Sequence, residues 1–300
     1  MSTDASPKIE ITNTVVNLDS WISKKRTDPS AYLERQVTEV LLAALSAPPF
    51  EGKVYLKGGV LMGLLYDSPR STADVDFTTS MSVREVNKEK FREHLDKNIK
   101  YAATKLGYAD LVMRVQSVNE QPKKKFETAS FPAYAFKVGY AKRGSPQEKQ
   151  VEAGRGVNAL EADISFNEPV DEIQVVHVAD TGSKIYAYSL FDLLAEKIRA
   201  FLQQEDRKRS RRQDIYDLAM LIERFPLDED EKVRFHEVLV AKCRSRNIEP
   251  TRVSIRDPKL INRAKSEWGT LAQDLGEEPP PFEERHEVVC ALYESLPWSD

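Results

Sequence analysis

The chain is expected to be an α+β protein, with a mixed sheet flanked by helices over residues 1–188 and an all-helical domain over residues 189–300. Three observations predict this. From Asp110 to Tyr188 apolar residues recur every second position, the period of a half-buried strand. From Ser189 onward they recur at helical spacing. Between Val54 and Thr79 an apolar strand, a glycine pair, an apolar helix and a second strand follow one another.

The composition is that of a protein with a buried core, 31% charged and 41% hydrophobic over 300 residues. A net charge of -4 gives no bulk attraction for nucleic acid, so any such binding needs a local basic patch. The cysteines Cys243 and Cys290 fit no metal or redox spacing, and a reducing cytosol is their simplest home. Residues 1–7 carry no apolar signal core, and no apolar run is long enough to span a membrane. A cytoplasmic protein is therefore expected.

Residues 1 to about 14 read as a loose arm. A short helix is expected from Asn17 to Ile22, and a longer one from Asp28-Pro29-Ser30 until Pro48-Pro49 stops it. Val83 to Leu106 reads as a surface helix ended by Gly107. Strands follow around Leu111–Val115, Tyr134–Tyr140, Asn158–Phe166, Ile173–Val178 and Lys184–Tyr188, with 142–156 as a loop. In the second domain helices are expected around Phe191–Leu202, Ile215–Ile222, Val233–Cys243, Pro258–Leu275 and Phe282–Leu296. Glu205 to Arg212 reads as a strongly basic turn.

The chemistry starts in the Val54–Thr79 stretch. A strand turns alternate side chains to opposite faces, so Asp74 and Asp76 share one face while Val75 and Phe77 enter the core. Two carboxylates side by side repel unless a cation sits between them, and a divalent metal is the usual one. Gly58-Gly59 follows a strand and opens a helix, where free backbone N–H groups can cradle an anion. Glycine at such a turn is also often only steric. On the Leu160–Phe166 strand Asp163 shares a face with Glu161 and Ser165. Placed beside Asp74 and Asp76, it would complete a three-carboxylate site able to hold two metal ions.

On the helical side, Lys197 can meet a triphosphate as a point charge. Asp214 and Asp217, three residues apart, share a helix face and can orient that lysine or an arginine. The same residues also fit a solvated helix beside an exposed basic turn. Lys123-Lys124-Lys125 and the Arg207–Arg212 run are candidate RNA contacts or plain solvated turns. His94, His177, His236 and His286 are scattered, which leaves no zinc site, and no Gly-x-Ser-x-Gly elbow supports serine hydrolysis.

Five segments in order carry a resemblance: Leu56-Lys57-Gly58-Gly59-Val60-Leu61, Arg70-Ser71-Thr72-Ala73-Asp74-Val75-Asp76-Phe77, Asp163-Ile164-Ser165-Phe166, Ala195-Glu196-Lys197-Ile198-Arg199-Ala200 and Arg212-Gln213-Asp214-Ile215-Tyr216-Asp217-Leu218. Together, over about residues 54–222, the chain resembles the AbiEii/AbiGii nucleotidyltransferase toxins, a branch of the DNA polymerase β-like superfamily. The resemblance implies the polymerase β-like fold and Mg2+- or Mn2+-dependent transfer of a nucleotide from an NTP to an acceptor. In some members the acceptor is the 3′ end of tRNA, which blocks translation. A cognate antitoxin encoded nearby and a part in phage defence are implied as well.

Carried over residue by residue, Asp74, Asp76, Lys197 and Asp214 match catalytic positions, and Asp74, Asp76 and Asp163 the metal ligands. Gly58, Gly59, Arg70, Ser71 and Lys197 match nucleotide contacts, with Arg212 and Asp217 as further candidates. Val60 departs from the threonine often found there and removes one phosphate contact. The competing expectations are transfer onto a protein or small molecule, and a non-catalytic nucleotide- or RNA-binding module of the same fold.

Overall fold

The computed structural model describes residues 7–10, 14–72, 74–179 and 181–299. The chain divides into two compact units. The first runs through Leu65, Thr72–Glu168 and Ile173–Tyr188; the second comprises Tyr66–Ser71, Pro169–Glu172 and Ser189 onward.

The first unit holds strands β1 (Lys8–Glu10), β2 (Val15–Val16), β3 (Val54–Lys57), β4 (Asp74–Thr79), β5 (Leu111–Gln121), β6 (Ala133–Lys142), β7 (Ala159–Phe166), β8 (Glu172–Val178) and β9 (Lys184–Tyr188). They form one mixed sheet in the order β1-β8-β9-β3-β4-β7-β6-β5, with β2 also on β8. The helices are α1 (Leu18–Ser23), α2 (Pro29–Leu45), α3 (Gly58–Leu65), α4 (Lys88–Lys105) and α5 (Glu148–Glu152).

Local chemistry explains the helix starts. Asn17 caps α1 through a 2.6 Å bond from the Ser20 amide. Asp28 caps α2 from Ser30 and Ala31, and Pro29 sits at the first helical position, where its missing N–H costs nothing. The expected helix from Val83 begins later, because Asn87 takes the amides of Glu89 and Lys90 and fixes the start at Lys88. Val86 and Phe91 then occupy the hydrophobic-staple positions on either side of that cap.

The core lies on one face of the sheet. Phe91 of α4 meets Tyr134 and Phe136 of β6 at 5.5 and 5.6 Å between ring centroids, and Phe166 of β7 joins Tyr134 at 5.2 Å. Val75, Phe77, Ala162 and Ile164 are buried as the alternation requires. The alternate residues, Asp74 and Asp76 on β4 and Glu161 and Asp163 on β7, point to the other face, and that second face carries the candidate site.

The second unit is built from α6 (Leu190–Leu202), α7 (Gln204–Arg207), α8 (Arg212–Arg224), α9 (Glu229–Ser245), α10 (Pro258–Ser266), α11 (Leu271–Leu275) and α12 (Phe282–Glu294). Ser189 caps α6, and Asp228 with Glu231 forms a capping box on α9. Leu194, Ile198, Phe201, Ile215, Leu218, Phe235, Leu239, Val289 and Tyr293 are buried in its core.

Four further expectations are corrected. Part of the N-terminal arm is strand, since Lys8–Glu10 lies beside β8 and Val15–Val16 runs parallel to it; residues 1–6 and 11–13 of that arm lie outside the described residues. The 142–156 loop contains α5, anchored by the fully buried Val151. The basic turn opens as helix α7 and leaves it at Lys208, whose backbone is left-handed. Pro258–Leu275 is interrupted: the Trp268 indole donates to the Pro280 carbonyl at 2.8 Å, Gly269 follows, and a tight turn replaces the α-helix there.

Candidate active site

In the first unit, strand pairing gathers the predicted carboxylates. β4 and β7 run parallel, with Asp76 opposite Asp163 and Asp74 opposite Glu161. β3 pairs with β4 on the other side and places Lys57 opposite Asp76. A row Lys57–Asp76–Asp163 thus crosses three strands on one face, with Asp74 and Glu161 one pleat further along. Asp74 and Asp163 are exposed and Asp76 is half-buried. Surrounding protein, then the Asp76 and Asp74 charges, push the Asp163 carboxyl above the usual aspartate range.

Gly58 and Gly59 stand where β3 passes into α3. The Gly58 backbone is left-handed at φ 70°, and a Cβ there would fall 2.2 Å from Asp76 Oδ2. A Cβ on Gly59 would fall 2.7 Å from Thr72 Oγ1. The glycine pair is therefore required for close approach: its bare backbone, at a helix N-terminus, lies directly against a carboxylate of the row.

Lysine and glutamate also enter this site where spacing gave no reason to expect them. Lys57 is buried and ion-paired with Glu168, which in turn accepts a hydrogen bond from the Tyr188 hydroxyl at 3.3 Å. The Lys57 ammonium sits 5.8 Å from the centre of the Tyr188 ring. The only signal for Lys57 in the sequence is its place at the end of an apolar strand, next to the glycine pair. Glu168 lies in a turn 111 residues away and gives none.

The remaining predicted residues belong to the second unit. Lys197 on α6 donates to Asp217 Oδ2 at 2.7 Å and to Asp214 Oδ1 at 3.0 Å, both on the first turns of α8. Arg70 joins them with two bonds to Asp217, at 3.1 and 3.3 Å. Lys197, Asp217 and Arg70 are all buried, with side-chain exposures of 6, 0 and 8%. Burial alone would lower the Lys197 pKa, but Asp217 and Asp214 outweigh it and raise it. Burial would likewise raise the Asp217 pKa, and Lys197 with Arg70 turns the shift downward.

Orientation of both Lys197 and an arginine by the Asp214/Asp217 helix face is thus realised in one network. Ser71 donates its amide to the Asp274 carbonyl at 2.8 Å. Arg212 pairs with Glu267 at 3.2 Å, while its buried Nε has no hydrogen-bond partner among the described residues.

No three His, Cys, Asp or Glu side chains among the described residues are drawn together as a metal-binding group. The donors on the carboxylate face are nonetheless all oxygens, the set a hard divalent cation prefers, and Gly58 leaves room for the Asp76 carboxylate that a side chain would fill. Asp74, Asp76 and Asp163 therefore fit Mg2+ or Mn2+ by donor chemistry. No helix among the described residues is long and apolar enough to cross a membrane.

MenT4, a nucleotidyltransferase toxin from Mycobacterium tuberculosis H37Rv, superposes with a TM-score of 0.52 at 14% identity, covering 94% of this chain and 90% of its own. A candidate nucleotidyltransferase from H. pylori aligns with a TM-score of 0.49 at 15% identity, over 88% of this chain and 93% of its own. No curated protein matches the sequence significantly. Residues 40–289 match the family described as "Nucleotidyl transferase AbiEii toxin, Type IV TA system". The protein is a nucleotidyltransferase. It belongs to the AbiEii toxin family of type IV toxin–antitoxin systems.

Proposed function

We infer that the chain transfers a nucleotide from an NTP to RNA, at the 3′ end of tRNA, and so blocks translation and growth until a cognate antitoxin encoded nearby counters it. Phage defence is the setting this reading favours. The observation that carries it is the carboxylate face: Asp76 opposite Asp163, with Asp74 beside them and Asp76 pressed on the Gly58-Gly59 turn.

Each residue has a role in this reading. The Gly58-Gly59 N–H groups bind phosphate oxygens, and Asp74, Asp76 and Asp163 hold Mg2+ or Mn2+. Bound there, the ion supplies charge neutralisation at the phosphates and lowers the pKa of the attacking hydroxyl. In the second unit, Lys197, held by Asp214 and Asp217, is the residue this reading assigns to the triphosphate. Arg70, which is bonded to Asp217, Ser71 and Arg212 are the further nucleotide candidates of that unit. The acceptor hydroxyl oxygen bonds to the α-phosphorus as the bond to the bridging oxygen breaks, and pyrophosphate leaves. An RNA path is supported by Arg207, Lys208 and Arg209, all exposed, on the run between α7 and α8.

Incubation with α-labelled NTPs, Mg2+ and separate pools of RNA, protein and metabolites tests the acceptor. Label in tRNA, lost in Asp76→Ala, is the expected result. Label in protein or metabolites alone would overturn the RNA reading, and an Asp76→Ala protein that still labels would overturn the site.

A further inference from the structure

The carboxylate face needs a counter-charge before any metal arrives, and the chain supplies one. Lys57 stands opposite Asp76 in the β3–β4 pairing, and Asp163 stands opposite Asp76 in the β4–β7 pairing. Lys57 and Asp76 are therefore cross-strand neighbours on one face, and the Lys57 charge acts on Asp163 against those of Asp76 and Asp74. It is not a solvated lysine: the residue is 8% exposed, paired with Glu168 and lying by the Tyr188 ring. Glu168 is itself held by the Tyr188 hydroxyl. A buried ammonium fixed on one side by a carboxylate and an aromatic ring is the arrangement that sets a charge at a chosen place.

We propose that Lys57 is a positioning residue that acts as a resident counter-ion for the Asp74/Asp76/Asp163 face, competing with the divalent metal, and that Glu168 sets the strength of that competition. The inference rests on the metal assignment made above. Its physical content is a sign. A fixed positive charge beside the ligands weakens binding of a dication by direct repulsion. Removing the Lys57 charge therefore tightens metal binding while loosening the metal-free protein. Removing the Glu168 charge does the reverse to the metal, because the ammonium's repulsion is then no longer offset by that carboxylate.

The test measures Mn2+ binding directly by EPR titration of the full-length protein, with thermal melts run with and without Mn2+. Lys57→Met is expected to bind Mn2+ on the order of tenfold more tightly than wild type. It should also melt lower when metal-free and gain more from Mn2+ than wild type does. Glu168→Gln is expected to bind Mn2+ several-fold more weakly, and Lys57→Arg to behave as wild type.

Lys142→Met makes the same change in net charge at the exposed pair with Asp110 and should leave Mn2+ affinity unchanged. A merely structural lysine would lower the melting temperature equally with and without metal. Should Lys57→Met fail to fold, the Glu168→Gln and Lys57→Arg titrations decide. Unchanged or weaker Mn2+ binding in Lys57→Met, or unchanged or tighter binding in Glu168→Gln, overturns the proposal. Asp76→Asn separates this failure from failure of the metal assignment: if it binds Mn2+ as wild type does, or wild type binds none, the assignment falls and the proposal falls with it.

Discussion

Gly58 and Asp76 occupy one another's space: the Asp76 carboxylate oxygen lies 2.2 Å from where a Cβ on Gly58 would be. The β3–α3 turn and the β4 carboxylate are thereby one construction, and neither can change alone. Gly58→Ala is expected to lower nucleotide transfer by at least about 100-fold, because the new methyl displaces Asp76 from the row. Gly107→Ala is the control. Gly107 has a similar left-handed backbone, at φ 80° against 70°, but nothing within 4 Å of its added Cβ. Both variants share a backbone cost of about 1–2 kcal/mol, so equal activity loss in the two would refute the steric account.

Asp217 holds two buried cations, and its loss should be felt as stability before activity. Asp217→Asn leaves Arg70 and Lys197 one neutral carbonyl oxygen in place of the carboxylate, with Asp214 as the remaining charged partner of Lys197, at an expected cost of about 3–5 kcal/mol in denaturant unfolding at pH 7. The pH dependence has a definite sign. The Asp217 pKa is depressed on folding, so its contribution is present above the unfolded value of 3.8 and is lost as pH falls through the folded value. The Lys197 pKa is raised, so its contribution is present below 10.5 and lost as pH rises through the folded value. The gap between wild type and Asp217→Asn should therefore be flat at neutral pH and shrink below about pH 3.8. A gap that shrinks already near pH 6 would show that other groups carry it.

How much of this was legible in the sequence depends on the range of each interaction. Val75 and Phe77 against Asp74 and Asp76 is a local alternation, and the strand, glycine pair and helix at 54–65 are local too. These could be read directly. The pairing of Asp163 with Asp76 needed two strands to be neighbours, which the sequence leaves as a condition and the topology supplies. Lys57 with Glu168 and Arg70 with Asp217 are separated by 111 and 147 residues, and no period links them. Likewise, Lys8–Glu10 became strand because β8 offers it an edge, a tertiary cause that a three-residue segment cannot announce.

Asp163 should trade stability for function. Its pKa is raised by surrounding protein and by Asp76 and Asp74, so the ionised form is disfavoured in the folded protein. That cost is present above the folded value and disappears as pH falls below the unfolded value of 3.8. Asp163→Asn removes the charge and is expected to raise the metal-free melting temperature at pH 7 while abolishing transfer. A melting temperature that falls would mean that Asp163 is a structural partner and not part of a repelling cluster.

The basic run between α7 and α8 gives a prediction that depends on salt. Arg207, Lys208 and Arg209 are exposed, whereas the carboxylates of this region are mostly engaged: Glu205 with Arg263, Glu267 with Arg212 and Asp214 with Lys197. The protein is acidic overall, so this is a local positive surface and not a property of bulk charge. If three phosphates of an RNA are neutralised there, the triple Arg207→Gln/Lys208→Gln/Arg209→Gln variant loses three contacts. The slope of log affinity against log salt should then fall by about 2–3, measured by fluorescence anisotropy with labelled tRNA. Binding of NTP alone should be unaffected. An unchanged slope in a variant that still binds RNA would place the RNA path on other residues, with Lys123, Lys124 and Lys125, also exposed, as the next triple to replace.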